Sequence, residues 1–380
     1  MSINSQSGGD LIGTGSFGCV FKPALKCEKQ SSVPDDMVSK VFFSNHSKKE
    51  AEEEIKIDKM IKSIKGYENW AHIWTTNCLP KKYNSLIKEE SGIDDCLNEN
   101  GLTVSEFDKN RRMLQGTYAG KTFGEVFSHH FKYGTYSNKT LFIKKFLKMM
   151  KLMKPLFIGL VEMKKNKISH NDIKDLNIMV DVGGCKYIDF GLAAKHSNQR
   201  FFKQRSMREF VCDRIYPPYP YEFIYLYATE GVLNDEKSDQ EYDIYRDLHE
   251  RYQLVHETIF KRVGLKEYLL GLIDRALEGK LIKEKNNIIS LIDTYSVGIL
   301  IPTMLARFAK SHNKLSQLKK LLMEKEIKPF MELFKDMSEP NNYYRLNPID
   351  AYQRYLELES IYLKSNKKQT IKKELRRVKK

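Results

Sequence analysis

Apolar positions alternate in short runs over the first third of the chain and fall at helical spacing after it. From Leu11 to Phe21, β-formers flank Gly13, Gly15 and Gly18, which reads as strand, tight turn and strand, broken by Pro23. Met37 to Phe43 alternates as a strand should. Ser47-Lys48-Lys49-Glu50 has capping-box spacing and opens a helix to about Lys65. Ile57, Ile61 and Ile64 share one face of it, and Glu54 lies on that face. An acid on an apolar stripe needs a cationic partner; Glu53 is the alternative to Glu54. Arg112 to Gln115 reads as a strand, and helical patterns follow at Phe123–Phe131, at Lys139–Lys154 before Pro155, and at Leu156–Lys165. Ile178–Val180 and Lys186–Ile188 form a hairpin around Asp181 to Gly184. Ile288 to Ile301 is apolar almost all round, which predicts a helix inside a core, with Pro302 expected to kink or end it.

Two stretches interrupt this order. Gly66 to Lys109 holds Trp70, Trp74 and Pro80 and then turns polar, and is expected to be a surface insertion. Phe223 to Asn287 is a second, charged and partly helical expansion. The tail Lys364–Lys380 carries nine basic residues and one acid, with too few apolar residues for a core.

A 380-residue chain that is 41% hydrophobic and 30% charged can bury a sizeable core. Its net charge of +15 favours acidic partners: nucleotide, nucleic acid, anionic membrane or acidic protein. The six cysteines, Cys19, Cys27, Cys78, Cys96, Cys185 and Cys212, show no C-x-x-C pair or metal-ligand spacing. They are expected to be free thiols in a reducing compartment. Met1 to Gly9 lacks an apolar signal core, and no apolar run is long enough for a membrane span. Cytosol, nucleus or a virus-associated compartment is expected.

The chemistry concentrates in His170-Asn171-Asp172-Ile173-Lys174-Asp175-Leu176-Asn177 and, shortly after, Asp189-Phe190-Gly191. Phosphoryl transfer to a hydroxyl needs such a set: a carboxylate to orient the attacking oxygen and take its proton, a cation for the phosphate charge, and oxygen ligands for magnesium.

These motifs, in this order, resemble a eukaryotic-type protein kinase. Leu11 to Phe21 resembles the family's glycine-rich hairpin, Met37–Phe43 its lysine-bearing strand, and Gly116 to Gly120 its hinge, with Gln115 as gatekeeper. Tyr216 to Glu222 resembles the end of its activation segment. Asp293-Thr294-Tyr295-Ser296-Val297-Gly298 resembles the opening of its central helix, whose aspartate holds the catalytic loop, and Arg345 the arginine that pairs with Glu222. The resemblance covers about residues 10 to 356. It implies an α+β, bilobal fold: an N-lobe at 10–116 with an insertion around 67–109, a C-lobe at 117–363 with an insertion around 223–287, and the basic tail at 364–380. Ile12, Gly13, Gly15, Gly18 and Val20 would cover ATP. Lys40, braced by Glu54, would meet its phosphates; Asn177 and Asp189 would hold Mg²⁺; Asp172 would be the catalytic base; and Lys174 would steady the γ-phosphate.

Asp172 to Asn177 has the form found in serine/threonine kinases, so proteins carrying Ser or Thr are the expected substrates. The basic tail makes nucleic acid or an anionic surface a candidate partner. The divergent ends, insertions and tail are similar to kinases of large DNA viruses, which implies host cytoplasm or virion. Asn171 departs from the family, where arginine is usual and commonly binds a phosphorylated activation segment. The competing classes are a pseudokinase scaffold, which typically lacks the lysine or one of the two aspartates, and a small-molecule kinase, against which the later motifs argue.

Overall fold

The computed structural model describes residues 9–15, 18–89, 91–211, 218–231, 233–234 and 253–363. It divides into two units: Met1–Gly120 with Ile188–Leu192, and Lys121–Tyr187 with Ala193–Lys380. The first therefore ends at Gly120 rather than at 116.

In the first unit, β1 (Asp10–Gly15) and β2 (Gly18–Lys22) form the glycine-rich hairpin, and β2 pairs with β3 (Met37–Phe42). α1 (Ser47–Lys62) follows, then β4 (Thr76–Cys78), α2 (Tyr83–Lys88), α3 (Ile93–Glu99), α4 (Val104–Asn110) and β5 (Arg112–Thr117). The antiparallel sheet has the order β1-β2-β3-β5-β4. Alternation along β3 gives each face its own layer. Phe42 and Leu114 pack with Ala51 and Ile55 of α1 and with Trp74. Val41 and Met113 pack on the other face with Leu86, Ile93, Cys96, Leu97 and Phe107.

That second layer overturns the expected surface insertion. Residues 67–109 supply a sheet strand and three helices, and Leu86, Ile93, Cys96 and Phe107 are fully buried. Each large apolar side chain among them is worth roughly 1.5–3 kcal/mol in burial. The polarity of Lys88 to Asn100 belongs to the outer faces of short helices, whose few inward positions carry the packing. α1 also departs from expectation. His46 is its N-cap with no side-chain capping bond, and the Ser44 hydroxyl donates to Glu50 while that of Ser47 donates to the Ser44 carbonyl. The expected capping box is thus replaced by a local serine network, and the helix ends at Lys62.

Four of the expected free thiols are paired. Cys19 of β2 is bonded to Cys96 of α3, and Cys27 to Cys78 of β4. The partners lie 77 and 51 residues apart in sequence but have Cα atoms 6.1 and 5.9 Å apart. Pairing depends on that folded proximity, which spacing alone does not reveal. Closing loops of this length removes roughly 4 kcal/mol each from the unfolded state's favour. Cys185 is a buried free thiol whose ionisation burial disfavours, and Cys212 lies outside the described residues.

The second unit is mainly helical. β6 (Lys121–Thr122) leads into α5 (Phe123–His130), which has a full Thr122–Glu125 capping box. α6 (Lys139–Leu152) stops before α7 (Lys154–Lys165), which takes Pro155 in its first turn, where a missing N–H costs nothing. β7 (Ile168–Ser169) enters the loop 170–177. β8 (Ile178–Asp181) and β9 (Gly184–Tyr187) form the expected hairpin, with β6 beside β8. β10 (Ala194–Lys195) pairs with β7, and α8 (Gln199–Val211) and α9 (Tyr221–Tyr225) follow.

The central helix Ile292–Ser311 is buried along its first two-thirds and runs through Pro302 without ending there. From the expected second insertion, Leu269, Leu272, Ile273 and Leu281 join the core around Tyr295 and Ile299, so its described end is structural. Glu222 and Arg345 form a fully buried ion pair. Among the described residues no single helix is long and apolar enough to cross a membrane. The tail 364–380, with Tyr216 and Pro217 of the expected segment end, lies outside the described residues.

Peptide mapping without reductant should recover Cys19–Cys96 and Cys27–Cys78 as linked pairs. Opening both should lower the unfolding midpoint by about 5–10 °C. Six titratable thiols in denaturant would contradict the pairing.

Candidate active site

In the first unit the site begins with a close approach. A Cβ at Gly18 would stand 2.1 Å from the Val41 carbonyl oxygen, so only glycine lets β2 close on β3 there. Space around Gly13 and Gly15 is open. Val20 lies opposite Lys40 in the β2–β3 register, so both face the same way, while Ile12 is exposed beside a β1 irregularity.

Lys40 is 7% exposed. Its Nζ donates to both carboxylate oxygens of Glu54, at 3.1 and 2.9 Å, and to Asp189 Oδ1 at 3.0 Å. Glu53 is exposed and lies 3.9 Å from Lys49 instead, so the choice between the two glutamates falls on Glu54. Burial alone would push Lys40 toward neutrality, but the charges of Glu54 and Asp189 outweigh it and hold the ammonium protonated. Burial pushes the Glu54 carboxyl upward, against the pull of Lys40. Asp58, one turn further on, is 1% exposed and raised well above the usual range by burial and then by Glu54. Asp189 has φ +58°, a left-handed conformation uncommon outside glycine. A Cβ at Gly191 would stand 3.3 Å from Glu54 Oε2.

The expected gatekeeper is on the wrong face. Gln115 lies opposite Ser39, and its Nε2 donates to the Leu25 carbonyl at 2.8 Å and to Gln30 at 3.0 Å. Leu114 is opposite Lys40 and Gly116 opposite Val38, so those two residues share the lysine's face. In a strand a one-residue shift reverses every side chain.

In the second unit, Asp172 is held by two side chains. Lys174 Nζ donates to its two oxygens at 3.3 and 3.2 Å, and Asn177 Nδ2 donates to its Oδ2 at 2.6 Å and its carbonyl at 2.9 Å. The amide nitrogen of Asn177 is thus committed, and its oxygen is the atom suited to a cation. An amide oxygen is a hard donor of the kind magnesium takes, and in the first unit the Asp189 carboxylate is another.

The loop's backbone depends on Asp293, which accepts from the amides of His170 at 2.7 Å and Asn171 at 3.0 Å. Burial raises the Asp293 carboxyl, and His170 and the two amides oppose the rise. Asn171 has φ +63°; its side chain donates to the Ser169 carbonyl, and its own carbonyl accepts from the Tyr219 hydroxyl at 2.7 Å. Arg205 of α8 donates to that same hydroxyl at 3.2 Å.

Sequence reasoning missed Trp74, Asp58 and Tyr219. Trp74 sat in a stretch read as surface, Asp58 in an acidic helix, and Tyr219 in a proline-rich run; none carries a local signal of its partners.

The protein kinase domain model matches residues 7–245, well over half of the chain, and no curated protein matches it. The chain belongs to the protein kinase family, with its α+β fold of a sheet-bearing and a helical unit. It is therefore a phosphotransferase by class.

Asp293→Ala would orphan two buried amides and should cost roughly 2–4 kcal/mol in denaturant unfolding. Asp293→Asn, which keeps one acceptor, should cost clearly less. Equal costs would show that the two amide bonds are not what Asp293 supplies.

Proposed function

We propose that the chain is an active serine/threonine protein kinase that takes the γ-phosphate from ATP in the presence of Mg²⁺. The observation that carries this reading is the completeness of the charged set. Lys40 meets both Glu54 and Asp189, and Asp172 is bracketed by Lys174 and Asn177. A pseudokinase scaffold would be free to lose one of these residues.

The roles follow from charge. Asp172 orients the substrate hydroxyl and takes its proton as the oxygen attacks. Asn177 and Lys174 hold the carboxylate in place, and Lys174 also faces the charge moving onto the γ-phosphate. Lys40, kept protonated by two carboxylates, binds the α- and β-phosphates. Asp189 and Asn177 would hold Mg²⁺, which would supply neutralisation of phosphate charge. The amides around Gly13, Gly15 and Gly18 approach the phosphates where no Cβ intervenes.

The serine/threonine class rests on Lys174 standing two residues after Asp172. A place among kinases of large DNA viruses rests on the divergent ends and the basic tail. For such an enzyme two disulfides favour the virion over the host cytoplasm. The tail 364–380 is the candidate contact for nucleic acid or an anionic surface; truncation after Leu363 should then abolish salt-dependent binding.

Radiolabelled ATP offered with casein, a basic protein and the enzyme alone should give phosphoserine or phosphothreonine. Asp172→Ala should reduce transfer by about 10²–10⁴-fold. Equal labelling by both proteins would refute the catalytic assignment, and phosphotyrosine would refute the class.

Activity independent of activation-segment phosphorylation is a second expectation. Asn171 carries no charge to receive a phosphate, and the Tyr219 hydroxyl already ties this loop to the segment. Ser206 is fully buried with its hydroxyl donated to the Ile224 carbonyl, which leaves Ser197 as the exposed serine in the described part. Ser197→Ala should keep activity within about twofold, and a loss beyond tenfold would sink the idea.

A further inference from the structure

Trp74 joins three parts of the first unit. Its indole Nε1 donates to Glu54 Oε1 at 2.7 Å. Its backbone N–H donates to Asp58 Oδ2 at 2.8 Å, one turn along the same helix. Its ring packs against the cluster of Phe42 of β3, Ala51 of α1 and Leu114 of β5. The ring also lies over Gly116, where an added Cβ would stand 3.3 Å from Trp74 Cε3 and 3.3 Å from the Ile73 carbonyl oxygen. Any side chain at 116 would compete with the indole for its place.

Glu54 is 3% exposed and must be fully engaged to remain ionised. Its cationic partner is shared, since Lys40 also reaches Asp189. When phosphates draw on Lys40, the carboxylate loses part of its charged donor. An indole N–H cannot titrate or be drawn off by phosphate, so it holds the carboxylate through that exchange. The Asp58 bond and the apolar packing fix the indole itself.

We propose that Trp74 is a positioning residue for the phosphate-binding lysine. It fixes the Glu54 carboxylate in the orientation that meets Lys40, and position 116 is glycine to admit its ring. This rests on the kinase reading above.

The test compares Trp74→Phe, which keeps an aromatic ring and removes the N–H, with wild type. kcat/KM for ATP should fall about tenfold, and the Kd of a fluorescent ATP analogue should weaken several-fold. KM for the protein substrate and the unfolding midpoint should hold within about twofold and about 3 °C. In a Glu54→Gln background the same change should cost less than about twofold, because the carboxylate it serves is gone. Gly116→Ala should reproduce part of the ATP-specific loss by displacing the ring, and it carries the test if Trp74→Phe does not fold.

Unchanged nucleotide affinity in both variants, or an equal loss with and without Glu54, would overturn the proposal. A wild-type protein that binds the analogue but transfers no phosphate would instead overturn the kinase reading, while the binding comparison would still decide on Trp74.

Discussion

A buried lysine placed between two carboxylates is the constraint around which the first unit is built. Removing such charges from water costs several kcal/mol per ion, so the group is tolerable only with close partners and further hydrogen bonds. Lys40 and Glu54 lie on different elements, and a carboxylate shifted by one helical position would face solvent, as Glu53 does. The packing of Phe42 and Leu114 against Ala51 and Ile55 sets the depth and rotation of α1 that bring Glu54 inward. Gly191 matters for the same reason, since a side chain there would crowd the Glu54 carboxylate.

The second unit solves a different problem. Its acid, Asp172, needs a fixed position in a loop with no ladder of its own. Asp293 supplies the missing order by accepting two successive amides from a helix that is itself buried. Asn171 and Asp189 both adopt positive φ, and asparagine and aspartate are the non-glycine residues that tolerate it best. Local strain of this kind persists only where the surroundings over-determine the backbone.

What was legible in the sequence was chemistry carried by short spacings. The loop 170–177, Asp189, the glycine hairpin, and the Asp293 and Glu222–Arg345 positions all declare themselves through neighbours in the chain. What was not legible depends on contacts between distant segments. Residues 67–109 look polar because their helices are short and half-exposed, yet a few inward residues build a whole layer of the first unit. Gln115 was misassigned by one position, enough in a strand to place it on the opposite face. The cysteine pairs and the Trp74–Glu54 bond join residues that no sequence period relates.

The two disulfides are nested, with Cys27–Cys78 inside Cys19–Cys96, and Lys40 and Glu54 both fall within the inner ring. The charged pair is therefore enclosed twice by covalent bonds, while Asp172 and Asp189 stand outside both. Buffers containing dithiothreitol, common in enzyme purification, would open these rings and leave a chemically different molecule in the assay. The choice of reductant thus becomes part of defining the enzyme, and so does the redox state of the host in which it is expressed.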